Sequence, residues 1–242
     1  MNYKLLTPGP LTTSETVKKA MMVDHCTWDD DYKVITQKIR KELVAIANAS
    51  EEKYTAVLMQ GSGSFGVESV LSSAVGEKDK LLIAANGAYG ERMIQIAKAN
   101  KINYVAYMEE YNQQPSAEKI AKMLEEDEAI THVSMIHCET TSGILNDIAS
   151  VAKVVKEKGR TMIVDAMSSF GGVEICMEDL GIDFMISSSN KCIQGVPGFS
   201  FILANREALK KCQGQARSLS LDLYACLLLH ISEPTRQEAI SY

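Results

Sequence analysis

The sequence has 242 residues, 46% of them hydrophobic and 23% charged, the balance of a folded globule, which excludes a disordered or fibrous chain. At roughly 100–200 residues per domain it holds one large domain or one domain with a small appendage. Lys and Arg total 25 against 31 Asp and Glu, a net charge of −6, so no broad basic field is present to hold a polyanion and nucleic acid is not an expected partner.

In chain order, apolar residues three and four apart predict a helix over Tyr32–Ala47, and a short apolar run predicts a strand over Tyr54–Gln60. The same two signals then alternate: helix Phe65–Ala74, strand Leu81–Ala85, helix Tyr89–Ala99, strand Ile102–Tyr107, helix Ser116–Glu126 and strand His132–Ile136. Helix Asp147–Lys158 follows, then strands Thr161–Asp165, Phe184–Ser187 and Phe199–Leu203, and helix Arg206–Lys211. Ser116 is placed to cap its helix, and Gly159 stops the one that ends in Lys156-Glu157-Lys158. The strands carry little alternation, as expected where helices cover both faces. The expected fold is doubly wound α/β, a three-layer sandwich around a mostly parallel seven-stranded sheet.

Six cysteines are scattered without C-x-x-C spacing, which points to a reducing cytoplasm and to no metal site. The first twenty residues lack the apolar stretch of a signal peptide, and no run approaches the ~18–20 apolar residues that cross a bilayer. One domain is expected through about Arg217. The segment ACLLLHISEPTRQEAISY from Ala225 follows no earlier pattern.

Gly61-Ser62-Gly63-Ser64-Phe65-Gly66 lies between a predicted strand and a predicted helix, where N–H groups and the helix dipole hold phosphate. It matches G-x-G-x-x-G, but a dinucleotide site wants an acidic residue about 20 residues on, at the end of the next strand, and that strand ends in Asn86. The hydroxyls of Ser62 and Ser64 suit a phosphate monoester better; a plain tight turn is the simpler alternative.

Ligands of open α/β sheets bind outside the carboxyl ends of the strands. Asp165 terminates an apolar run there, where a carboxylate is costly unless it meets a cation or donors. Lys191 follows the strand Phe184–Ser187 and offers an amine nucleophile toward a carbonyl. An amine, a carboxylate and a phosphate cradle at strand ends together describe a pyridoxal phosphate site. Tyr89 follows another strand end and either stacks on the pyridine face or packs at a helix start. His137 begins a further strand-end loop, in which Thr140 or Thr141 is placed to meet the ring hydroxyl. His25, Cys26, Trp28 and Asp29–Asp31 form either a capped helix start or a substrate-facing loop.

With these segments in hand, the sequence resembles the class V, fold-type I aminotransferases. The resemblance rests on Leu6–Pro10, Thr27–Tyr32, Gln60–Glu68, Asn86–Arg92, His137–Gly143, Val164–Gly172, Ser188–Gly198 and Ala216–Tyr224, in family order over about residues 1–224. It implies a pyridoxal 5'-phosphate transferase large domain over 1–224. It implies Lys191 as the cofactor lysine, Asp165 as partner of the ring nitrogen, and Ser62, Gly63 and Ser64 as phosphate binders. It also implies Thr141 near the ring hydroxyl and Tyr89 as the stacking ring. Asn190–Gly198 resembles most the members that pass the amino group of 2-aminoethylphosphonate to pyruvate, giving phosphonoacetaldehyde and L-alanine in phosphonate breakdown. Such members work as homodimers, without nucleic acid or membrane. They continue into a smaller C-terminal α+β domain, which carries the arginine for the substrate's acidic group. This sequence instead runs through 225–242 in a tail unlike theirs, so the small domain is expected to be missing, as a frameshift or an early stop would leave it. The alternatives are a catalytically silent truncated homologue and another class V enzyme, such as an alanine–glyoxylate transaminase or a cysteine desulfurase.

Overall fold

The seven apolar runs become the seven strands of one sheet in the computed structural model, which describes residues 4–231. Helices α1 (Glu15–Ala20) and α2 (Asp30–Ile46) lead into β1 (Tyr54–Gln60), α3 (Gly63–Ala74), β2 (Lys80–Ala85), α4 (Ala88–Ala99), β3 (Tyr104–Met108), α5 (Ala117–Glu126) and β4 (Ile130–Ile136). A small hairpin, β5 (Cys138–Glu139) with β6 (Ile144–Leu145), precedes α6 (Ile148–Glu157), β7 (Thr161–Asp165), α7 (Met177–Leu180) and β8 (Phe184–Ser188). The chain continues through β9 (Phe199–Asn205), α8 (Arg206–Lys211) and α9 (Leu223–Ile231).

The sheet order is β1-β9-β8-β7-β4-β2-β3. β9 runs antiparallel to both its neighbours, and the remaining pairs are parallel. The carboxyl ends of β1, β2, β4, β7 and β8 therefore meet along one edge. Alternate residues of β2 enter opposite cores: Leu82 and Ala84 pack with α2, α5 and α6, while Leu81 and Ile83 pack with α3 and α4. All four are buried, which is why the run shows no hydrophobic alternation. The layers are helices, sheet, helices, as expected.

Two end signals act as read. The Ser116 hydroxyl accepts from the Lys119 N–H at 3.3 Å, and Gly159 adopts φ +65° just past α6. β3 starts at Tyr104 rather than Ile102 because the Ile102 N–H closes α4 by donating to the Ala97 carbonyl at 2.9 Å. β4 starts earlier than expected, at Ile130, where Thr131 Oγ1 accepts from the Lys80 N–H at 3.2 Å.

The domain boundary expected at 224/225 falls inside α9. Leu223 and Leu227 are buried in the α3–α4 core, and Ser69 and Ser73 bond the segment at Leu221 O (2.8 Å) and Leu223 N (3.1 Å). β1 is a sheet edge whose outward groups need partners. Arg40 Nε donates to Ala56 O at 2.8 Å, and His230 Nε2 sits 2.9 Å from Leu58 O. The part of the tail that reaches Ile231 thus covers the edge of the domain; residues 232–242 lie outside the described residues. Among the described residues no helix is long and apolar enough to cross a membrane.

Candidate active site

β1 delivers the chain to the sheet edge, where Gly61 turns it at φ +122° into α3. The Gly61 N–H donates to the Gly198 carbonyl at 2.7 Å, tying this turn to the loop that follows Lys191. Ser62 is the N-cap of α3, yet its hydroxyl makes no capping bond, and the first turn carries no acidic residue. Uncapped N–H groups and a dipole uncompensated by carboxylates suit an anion. A Cβ on Gly63 would lie 2.3 Å from Met167 Cε, so the Met167 side chain, just past β7, would have to move aside for any larger residue.

Six of the seven expected residues (Ser62, Gly63, Ser64, Tyr89, Asp165 and Lys191) line one cavity of about 180 Å³. The seventh, Thr141, does not. It is exposed, donating its hydroxyl to Glu139 at 2.8 Å and accepting from the Ala88 N–H at 3.4 Å. The cause is Glu139, a fully buried carboxylate on β5 that accepts from the Gly90 and Thr141 N–H groups at 3.3 and 3.2 Å. It draws Thr141 toward α4 and leaves Thr140, bonded to Ser168 Oγ at 2.6 Å, to line the cavity.

Asp165 ends β7 with only 5% of its surface exposed. Its Oδ1 accepts from the Met167 N–H at 2.9 Å, and it forms no ion pair among the described residues. Burial pushes its carboxyl up to about 6, the Glu139 charge adds to this, and the Met167 N–H and Lys191 oppose it. Next to it His137 is buried with Nδ1 unpartnered, and burial pulls the imidazole down to about 4. The His25 cluster stays outside the cavity: Asp29 stands at the N-cap of α2 without a side-chain capping bond, His25 Nδ1 lies 3.4 Å from Asp31 Oδ2, and Trp28 is exposed.

Two features were not anticipated. Asn86 and Asn146 form a buried reciprocal amide pair, with bonds of 2.9 and 3.1 Å, and Asn146 also donates to Ile136 O at 2.9 Å. This locks the ends of β2 and β4 together, and with them the loops that carry Tyr89 and Thr140. Arg92, one helical turn after Tyr89, also lines the cavity and makes no hydrogen bond or ion pair among the described residues. Its spacing of three from Tyr89 is a signal the sequence offers.

A lysine, a buried carboxylate and an uncapped helix start gather at the carboxyl edge of a mostly parallel sheet, where open α/β sheets bind their ligands. The chain belongs to the class V aminotransferase family, whose model matches residues 22–219. It is 61% identical over 224 residues to a 2-aminoethylphosphonate–pyruvate transaminase of Lysinibacillus sphaericus, covering 93% of this chain and 61% of that one. It is 54% identical over 223 residues to the transaminase of the same description from Bacillus cereus, covering 92% and 65%. The chain thus spans less than two thirds of these relatives' length. The crystal structure of pyridoxamine–pyruvate aminotransferase from Mesorhizobium loti superposes with a TM-score of 0.86 at 25% identity, covering 94% of this chain and 58% of that one.

Pyridoxal phosphate is the cofactor this membership indicates, and the residues fit it. Among the described residues the buried Asp165 carboxyl pairs with no cation, a place that a ring N–H would fill, and the first turn of α3 carries no acidic residue, a place that a phosphate would fill.

Proposed function

We propose that the cavity binds pyridoxal 5'-phosphate and serves a transaminase that moves the amino group of 2-aminoethylphosphonate to pyruvate, yielding phosphonoacetaldehyde and L-alanine. The observation that carries this reading is Asp165, buried in the same cavity as Lys191 and without an ion-pair partner among the described residues. The cofactor-binding large domain in this reading takes in residues 1–224 together with the rest of α9, and the protein acts in the cytoplasm.

Bound there, the cofactor supplies an aldehyde that condenses with amines and a ring that takes up an electron pair. Lys191 Nζ is the amine that holds it and, once released, the base that removes the proton from the substrate carbon bearing nitrogen. Asp165, ionised by the approach of a cationic N–H, keeps the proton on the ring nitrogen. Ser62, Gly63 and Ser64 bind the phosphate through hydroxyls and the N–H groups of α3. Tyr89 lines the cavity with 43% of its surface open and is the ring that stacks on the cofactor. Thr140 takes the place expected of Thr141 at the ring hydroxyl.

Leu6, Met22, Trp28 and Val34 are exposed on the N-terminal segments and α2. An apolar surface of this kind suits association, which supports a homodimer. A second reading has the cofactor bound but turnover not completed.

The test is to load the chain with pyridoxal phosphate and add 2-aminoethylphosphonate. Loss of the visible absorption followed by alanine formation with pyruvate supports the first reading. Cofactor absorption that no donor changes supports the second, and a response to another donor alone overturns the substrate assignment.

A further inference from the structure

The N-terminal segment crosses the side chain of Lys191. Gly9 has φ +155°, and a Cβ built on it would lie 2.4 Å from Lys191 Cδ, 3.0 Å from Cε and 3.0 Å from the main-chain oxygen of Asn190. Ordinary contact begins at 3.4 Å, so the lysine stem would have to retreat by about 1 Å. Asn190 O is main chain and cannot rotate aside. The need for glycine here does not come from the core, because Gly9 is only half-buried. The strap is held by its own bonds instead, Leu5 N–H to Thr12 Oγ1 at 2.6 Å and Thr7 Oγ1 to Pro10 O at 2.9 Å.

We propose that Gly9 is a positioning residue for Lys191: its bare backbone lies along the aliphatic stem and confines Nζ to the cavity it shares with Asp165. A free lysine samples many rotamers, and confining the stem removes that freedom before the amine meets an aldehyde. This inference rests on the assignment of Lys191 as the cofactor lysine.

The experiment follows the rate at which the visible absorption of the Lys191-bound cofactor develops after mixing with pyridoxal phosphate, at matched melting temperature. A misplacement of about 1 Å is worth up to roughly 100-fold in rate, so Gly9→Ala should slow the reaction by about 10- to 100-fold. Lys4→Ala, exposed in the same segment and without a hydrogen bond or ion pair among the described residues, should leave it unchanged. Thr12→Ala removes the bond that anchors the strap without adding an atom near Lys191, and should slow the reaction to a smaller degree. It decides the matter if Gly9→Ala folds poorly. Unchanged rates in both variants, with the parent chain reacting normally, overturn the role of Gly9 alone. Failure of the parent chain to develop the absorption overturns the cofactor assignment and this inference with it.

Discussion

The His137 N–H donates to the carbonyl oxygen of Asp165 at 2.8 Å, joining two residues whose side chains burial drives in opposite directions. The Asp165 carboxyl rises to about 6 and the His137 imidazole falls to about 4. A raised carboxyl makes the folded state hold its proton longer than the unfolded state. The penalty from Asp165 therefore grows as pH climbs from the ordinary carboxylate range through about 6. A depressed imidazole acts the other way, and the penalty from His137 grows as pH falls from the ordinary histidine range through about 4. Each shift corresponds to about 3 kcal/mol, so in the cofactor-free chain one penalty grows as the other fades and their sum changes little between these limits. Denaturant titrations should show Asp165→Asn stability rising with pH across that window and His137→Gln stability falling. Parallel profiles would contradict the account.

The same carboxylate links stability to function. Above pH 6, Asp165→Asn should stabilise the cofactor-free chain by up to about 3 kcal/mol, since the amide still accepts from Met167 N–H. It should also weaken pyridoxal phosphate binding. Melting curves with and without cofactor would show the gain and loss together.

The phosphate cradle is separable from the ring contacts. Removing a hydrogen bond to a charged group is worth about 1.5–3 kcal/mol, so Ser64→Ala should weaken pyridoxal phosphate binding by about tenfold or more. Affinity for pyridoxal, which lacks the phosphate, should hold. Equal losses for both ligands in a binding titration would place Ser64 elsewhere.

Thr140 and Thr141 should behave differently. Thr140→Val should shift the absorption of the bound cofactor, whereas Thr141→Val should leave the spectrum alone and lower the melting temperature by loosening Glu139. Spectra and melting curves of the two variants decide it.

The helix beyond Leu223 should behave as part of the domain. Leu227 is buried, and a buried Leu→Ala change removes about 2–5 kcal/mol, so Leu227→Ala should destabilise the chain cooperatively. A change below 0.5 kcal/mol, the range of surface substitutions, would show that α9 does not pack as described.

The sheet was legible because its strands are unbroken apolar runs, and Thr161–Asp165 and Arg206–Lys211 begin and end where the spacing puts them. The direction of β9 was legible too in principle, since the connection from β8 is too short for a parallel crossover. Strand ends carrying Asp165 and Lys191 pointed directly to the cavity. What escaped depends on contacts distant in sequence or on elements too short to show a period. Nothing local says that Asn86 pairs with Asn146, 60 positions away. The two-residue strands β5 and β6 have no periodicity, so the choice between Thr140 and Thr141 waits on where Glu139 is buried. α9 escaped because its apolar run resembles nothing earlier in the chain; only the cores at Leu223 and Leu227 give it a place.

The most direct measurement is borohydride reduction of the chain after incubation with pyridoxal phosphate, followed by mass mapping of its peptides. The account predicts one modified site, on the peptide containing Lys191. Modification at another lysine, or at none, would contradict it.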